Sequence, residues 1–303
     1  MDLLYRLFTR SVDRFKIRIS AKRPAHPHGP YTWEMGHIMS EAFLDDLEKF
    51  YCRPDPVTSV RVLDERPFGG RRLLELSFPG PMSTPWPENN TCYAYHLRIH
   101  DGQRHPALVI LHGWGRRSLE IEFRRIGLGF ARYGIESLFL VMPFHLRRAV
   151  PGSWSGEYMI SGDAVRTAEC FRQTVAEVRA ILPWLHQHSP TVGFFGMRLG
   201  GIIGHLAMTV EPFPVGITLL AGGNSAGVTW EGRMTRYVRA DIERAGRQRF
   251  PARAHLRERS WETAGQPMGP RGGPLNETLR IRARGRIAPP PPPRSEGAAR
   301  CKS

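Results

Sequence analysis

From Pro106 onward the chain alternates short, largely apolar runs, the first of them apolar throughout, with longer amphipathic stretches. The apolar runs are Ala107–Leu111 (ALVIL), Glu136–Met142 (ESLFLVM), Thr191–Phe195 (TVGFF) and Val215–Leu220 (VGITLL). A run that is apolar at every position, rather than at every second one, reads as a strand buried on both faces. The stretches between them read as helices: Ser118–Tyr133, stopped by Gly134; Ala164–His188, with Asp163 as N-cap; the small-residue segment Gly201–Met208; and Thr229–Arg244. Strands alternating with helices of this length predict an α/β fold, a mostly parallel sheet with helices on both faces. Such sheets bind ligands at the carboxyl ends of their strands, so the loops after residues 111, 142, 195 and 220 are expected to gather on one edge.

The flanks differ. Residues 1–105 are rich in Pro, with candidate hairpin-like strands at Thr58–Leu63, Arg72–Phe78 and Cys92–Ile99. Their first segment places Leu3, Leu4, Leu7, Phe8, Val12 and Phe15 on roughly one helical face, suited to packing on the domain or to peripheral contact with a membrane surface. Residues 246–303 contain 35 Arg, Pro, Gly or Ala among 58, five of them the run Pro289–Pro293, and their only aromatics are Phe250 and Trp261. That composition buries too little apolar surface to offset chain entropy and predicts disorder. The division expected is therefore 1–105 packing on the core, 106–245 the core, and 246–303 a basic tail, with the α/β fold incomplete at its C-terminal end.

Charge changes the picture less than its size suggests. The net charge is +15, but residues 246–303 supply +9 of it, from twelve Arg and one Lys against four Glu. The tail can be read as a basic arm for a polyanion or as an out-of-frame translation of a GC-rich gene. Its arginines are not interleaved with aromatics that stack on bases, which argues against nucleic acid. Cys52, Cys92, Cys170 and Cys301 form no CxxC pair, so neither a zinc site nor a disulfide framework is expected, and no metal or cofactor. Without a signal-like segment or an apolar run of membrane-spanning length, a cytoplasmic location is expected.

The candidate chemistry lies where the third core strand ends. TVGFF runs into Gly196-Met197-Arg198-Leu199-Gly200-Gly201 and then a helix, and upstream His112-Gly113-Trp114 directly follows the first core strand. This order resembles the α/β-hydrolase superfamily, of the esterase or lipase type, over about residues 106–230. There a serine stands in G-x-S-x-G on a sharp strand-to-helix turn, and an oxyanion loop follows an earlier strand. The resemblance implies a small-molecule ester or acyl substrate. It makes Trp114 and Leu199 the donors of the oxyanion N–H groups and His112, Gly113, Gly196 and Gly200 the framing residues. The chain departs from the pattern at the centre: Arg198 stands where the nucleophile belongs. A guanidinium stays protonated near neutral pH and cannot act as one.

Other residues compete for a role. Gly223-Asn224-Ser225-Ala226-Gly227 also matches G-x-S-x-G, but one strand later, so Ser225 is either an alternative nucleophile or a loop serine on the same edge. Ser153 and Ser155 follow no strand. The loop Phe144-His145-Leu146-Arg147-Arg148 should face the site, with Arg147 and Arg148 either a basic rim for an acidic substrate or a solvated charge run, and His145 a conceivable base. His205 reads as structural. The triad acid and histidine should follow later strands, yet after residue 245 no such strand is visible and His255 is the only histidine. The expected function is thus an ester-hydrolase-type protein, inactive as written. An active enzyme using Ser225, or a non-catalytic protein holding an anion at Arg198, stays open, and the oligomeric state is not readable.

Overall fold

The computed structural model describes residues 46–51, 53–219 and 238–240. The first helix, Ser225, His255 and the 246–303 tail lie outside the described residues. So does most of the expected 229–244 helix, of which 238–240 are helical with Val238 buried.

Seven strands form one sheet: β1 Arg61–Phe68, β2 Arg71–Pro79, β3 Thr91–Arg98, β4 Ala107–Leu111, β5 Glu136–Leu140, β6 Val192–Met197 and β7 Gly216–Leu219. Their order across the sheet is β1-β2-β3-β5-β4-β6-β7. β1, β2 and β3 pair antiparallel, and β3 meets β5 antiparallel. From β5 through β4 and β6 to β7 every pairing is parallel. β4, β5 and β6 are buried at every position, and in β5 this includes the polar Glu136 and Ser137.

Among the described residues, four helical segments between 46 and 219 accompany this sheet. Helix α1 is the short Leu47–Phe50. Helix α2 runs from Glu120–Glu122 through a π turn, Phe123–Gly127, to Leu128–Ala131 and stops where Gly134 takes φ +73°. Helix α3 is Ala164–His188, capped by Asp163, whose carboxylate accepts from the Arg166 N–H at 3.0 Å. Helix α4 is Leu199–Val210. The core divides at the sheet. One cluster joins alternate strand residues such as Leu76, Ala94, Val109, Leu138 and Phe194 to Val175, Val178 and Ile181 of α3 and Ile203 and Ala207 of α4. The other joins Leu97, Ile110, Phe139 and Phe195 to Phe123 of α2. Helices therefore cover both faces. No helix among the described residues is long and apolar enough to cross a membrane.

Several expected boundaries move, two of them by enough to change the architecture. The first strand is not 58–63 but Arg61–Phe68. Gly69 and Gly70, at φ +56° and +73°, make a two-residue turn that pairs Phe68 with Arg71 and extends β1 along β2. All but one of its residues are exposed, so apolar patterning gave little sign of it. At the other boundary β6 continues through Gly196 and Met197 and α4 starts at Leu199, so the expected five-residue turn contracts to Arg198 alone.

Between α3 and the loop after β5 lies a fully buried ion pair. Arg148 donates to Glu177 through both terminal nitrogens, at 2.8 and 2.6 Å, and also to the carbonyls of Val141 at 2.7 Å and Asn89 at 3.0 Å. Burial alone disfavours its charge, but the Glu177 carboxylate outweighs that and raises the guanidinium above its ordinary pKa. Asn89 joins in: Gln173 donates to its carbonyl at 2.8 Å, and its side-chain oxygen accepts from the Phe144 N–H at 2.8 Å. Removing one partner of such a pair strands a charge in the core. Arg148→Ala is expected to lower unfolding free energy by about 3–5 kcal/mol, whereas Arg147→Ala, at a side chain 54% exposed, should change it by less than about 1 kcal/mol. Urea denaturation of the two variants checks this, and equal losses would contradict the assignment of Arg148 to the core.

Candidate functional site

The corner at Arg198 is built by steric exclusion. A side chain on Gly196 would put its Cβ 2.5 Å from the Gly200 carbonyl oxygen and 2.7 Å from the Gly201 Cα. One on Gly200 would collide with the Leu111 carbonyl oxygen and come within 2.5 Å of that of His112. Only glycine at both positions lets α4 start directly beneath the end of β4. The single residue between strand and helix then takes φ 53° and ψ −117°, which a side chain rarely adopts and which costs on the order of 1–3 kcal/mol. The surroundings hold it there: the Arg198 N–H donates to Leu219 of β7 at 2.7 Å, and its carbonyl accepts from Gly201 at 3.0 Å and Ile202 at 3.1 Å.

The corner is exposed, at the carboxyl edge of the parallel strands, and it faces the loop after β4. A Cβ on Gly113 would lie 3.3 Å from Cδ and 3.6 Å from Cβ of Arg198. The residues 112–114 and 196–200, far apart in sequence, are thus one local structure. Leu199 is the first residue of α4, so its N–H belongs to the first turn, which has no intrahelical acceptor. The structure thus has a strained residue between strand and helix, glycine-flanked and faced by the loop of the neighbouring strand. The fold is a mostly parallel α/β sheet with helices on both faces.

No family profile matches the sequence, and no curated protein matches it. Solved structures with similar backbones include the acetyl xylan esterase from Paenibacillus sp. R4, at 14% identity over 76% of this chain and 73% of that one, with a TM-score of 0.47. Acetyl xylan esterase 1 from Thermoanaerobacterium sp. JW/SL YS485 is similar at 14% identity over 80% and 74%, TM-score 0.47. A Bacteroides fragilis NCTC 9343 protein, a candidate acetyl xylan esterase, is similar at 12% identity and a TM-score of 0.45, and this chain spans 57% of its length.

The loop opposite the corner is braced by two buried histidines. His112 accepts from the Met142 N–H through Nε2 at 3.2 Å, so its proton sits on Nδ1, which donates to the Gly113 carbonyl at 2.9 Å. His145 repeats the pattern: Nε2 accepts from Gly115 at 3.1 Å and Nδ1 lies 2.8 Å from the Pro143 carbonyl. The two rings meet edge to face, 4.8 Å between centroids. Trp114, half-buried, donates its indole N–H to the Gly156 carbonyl at 2.7 Å and so ties the same loop to residues 153–158. These contacts span the loops after β4 and β5, two of the four expected to share one edge.

Several expectations about the loop after β5 are corrected. His145 is fully buried with both ring nitrogens engaged, which leaves it no free lone pair with which to act as a base. Arg148 lines no rim; it is the core half of the Glu177 pair. Only Arg147 faces solvent, pairing with Glu75 at 3.0 Å. Ser153 and Ser155 are turn residues, donating to the carbonyls of Val150 and Arg116. His205 is exposed on α4 with Nε2 2.8 Å from the Thr218 hydroxyl. Sequence reasoning missed Asn89, Gln173, Glu177 and the Gly156 carbonyl, because each acts on a residue more than 25 positions away and none stands in a local pattern.

Burial pushes the His112 pKa down to about 4, with the charges of Arg116 and Arg148 adding to the effect and the Gly113 carbonyl opposing it. Burial and His112 likewise hold His145 well below its ordinary value. In the unfolded chain these rings take up protons near 6.5, but in the folded one only at much lower pH. The unfolded state therefore binds more protons below about pH 6.5, and folding stability falls as pH drops from there toward 4. For His112 alone the full loss is roughly 3 kcal/mol. Urea midpoints should be flat from pH 8 to 7 and decline steadily from 6.5 to 4.5, less steeply in His112→Asn. A midpoint that rises on acidification would contradict the neutral, buried assignment.

Proposed function

We propose that this chain is an ester-hydrolase-type α/β-hydrolase protein that does not turn over esters as written, because Arg198 occupies the nucleophile position. The observation that carries the reading is the backbone of Arg198: a non-glycine residue at φ 53°, between β6 and α4, facing Gly113. A hydrolase corner positions an attacking atom for a carbonyl that polarises against the N–H groups of residues 114 and 199. Two such donors lower an acyl-transfer barrier by several kcal/mol, but only if a nucleophile is present to generate the oxyanion. A guanidinium supplies none. Its nitrogens hold their lone pairs in delocalisation and its charge persists at all physiological pH. The scaffold would take a small-molecule ester or acyl group, and the chain would retain the frame for it without the attacking group.

The full chain is expected to hydrolyse p-nitrophenyl acetate no faster than a heat-denatured sample and to take no label from a fluorophosphonate probe. Arg198→Ser should gain at most slow labelling and no turnover, because a serine also needs a base and the described residues place no histidine free to act beside the corner. Steady hydrolysis by the unaltered chain would overturn the reading. If that activity disappeared in Ser225→Ala, the nucleophile would be Ser225.

A further inference from the structure

A cleft away from the Arg198 corner opens on the face of the sheet covered by α2. It is a cavity of about 570 Å³, a volume suited to a small organic ligand. Arg66 of β1, Arg117 before α2 and Arg147 after β5 stand at its walls. Its apolar surfaces come from Tyr95, Phe123 and Leu146, with Tyr95 and Phe123 5.2 Å apart between ring centroids. No residue of the Arg198 corner lines it, so it is independent of the function proposed above.

Three features separate this cleft from a chance grouping of surface arginines. The first is unequal neutralisation. Arg147 has Glu75 at 3.0 Å, but Arg66 reaches Glu120 only at 3.9 Å, and Glu120 is already held by Arg124 at 2.7 Å. Arg117 is exposed and makes no ion pair with any described residue. The cleft keeps a positive excess. The second is the backbone that delivers Arg147. Phe144 and Leu146 both take positive φ, 60° and 51°, a costly conformation for side chains of that size. Leu146 is held by its N–H on the Ser155 hydroxyl at 3.0 Å, and Arg148 is locked on Glu177 in the core. With 146 and 148 fixed, Arg147 is turned outward. The third is that apolar side chains and cations line the same cleft, which matches a molecule with a ring at one end and a negative group at the other.

We infer that this cleft binds a small organic anion, an aromatic carboxylate or aryl phosphate, with its ring against Tyr95, Phe123 and Leu146 and its charge between Arg117 and Arg147. Guanidiniums recognise carboxylate and phosphate alike through paired N–H donors, which is why the two share one class.

The test is calorimetric titration of the full chain with phenyl phosphate, beside benzyl alcohol and inorganic phosphate. Phenyl phosphate should bind one-to-one and saturably below about 10 mM. Benzyl alcohol should not bind, and inorganic phosphate should bind at least about ten-fold more weakly. Arg117→Glu changes an exposed, unpaired side chain, so its thermal midpoint should match the unaltered protein while its affinity for phenyl phosphate falls about ten-fold or more. Arg198→Ser should leave that affinity unchanged. Absence of saturable binding, or binding unaltered by Arg117→Glu, would overturn the assignment. Loss with Arg198→Ser alone would move the anion to the Arg198 corner, and equal affinity for inorganic phosphate would remove the role of the apolar side chains.

Discussion

The carbonyl oxygens of Leu111 and His112 leave no room for a side chain on residue 200, and the rest of the site follows from that exclusion. With glycine there, α4 begins directly under the end of β4. With glycine also at 196, the chain can turn through one residue instead of a loop. The strain of that turn falls on Arg198, and the pairing of its N–H with β7 and of its carbonyl with α4 keeps it from relaxing. A longer connection would let residue 198 choose its own backbone conformation. A single-residue connection fixes where its side chain starts, at the exposed edge opposite Gly113.

A fixed corner needs a fixed counterpart, and the loop after β4 gains its rigidity from neutral rather than charged groups. His112 and His145 each accept one backbone N–H and lie against a backbone carbonyl, so both ring nitrogens are used and the neutral form is favoured. Charge enters one layer deeper. Arg148 crosses from the loop after β5 to Glu177 on α3, where a buried pair is worth little in net stability but imposes one arrangement on the loop. Its neighbour Arg147 is then left on the outside. Two adjacent arginines of identical chemistry thus serve as a core anchor and an exposed cleft residue because the backbone between His145 and Arg148 is held in a 3-10 turn.

The parallel core was legible because burial on both faces writes itself into largely apolar text: ALVIL became β4, ESLFLVM became β5 at Glu136–Leu140, and TVGFF became β6 at Val192–Met197. The long helix was equally plain, since Asp163 caps it and His188 ends it, as expected. The corner was legible too, because glycines at 196 and 200 answer a backbone collision that any sequence in this fold must avoid. What escaped was set by contacts at long range. β1 is almost wholly exposed and is defined by the Gly69-Gly70 turn rather than by apolar residues. The burial of His145 and Arg148 depends on Gly115, Asn89 and Glu177, none within 25 positions, so nothing local distinguished a buried arginine from its solvated neighbour. Whether Ser225 shares the edge falls outside the described residues.

The central claim, that residue 198 stands exposed on a strained corner at the N-terminus of α4, can be tested with a reporter in place of the arginine. In Arg198→Cys, alkylation by iodoacetamide can be followed peptide by peptide as a function of pH. A thiol on this corner sits in the field of the helix N-terminus, which favours the thiolate. Modification at position 198 in the native protein should be fast and should titrate at least about one unit below the ordinary thiol value of roughly 8.5. A thiol at 198 that reacts only after denaturation, or that titrates at or above that value, would contradict the account.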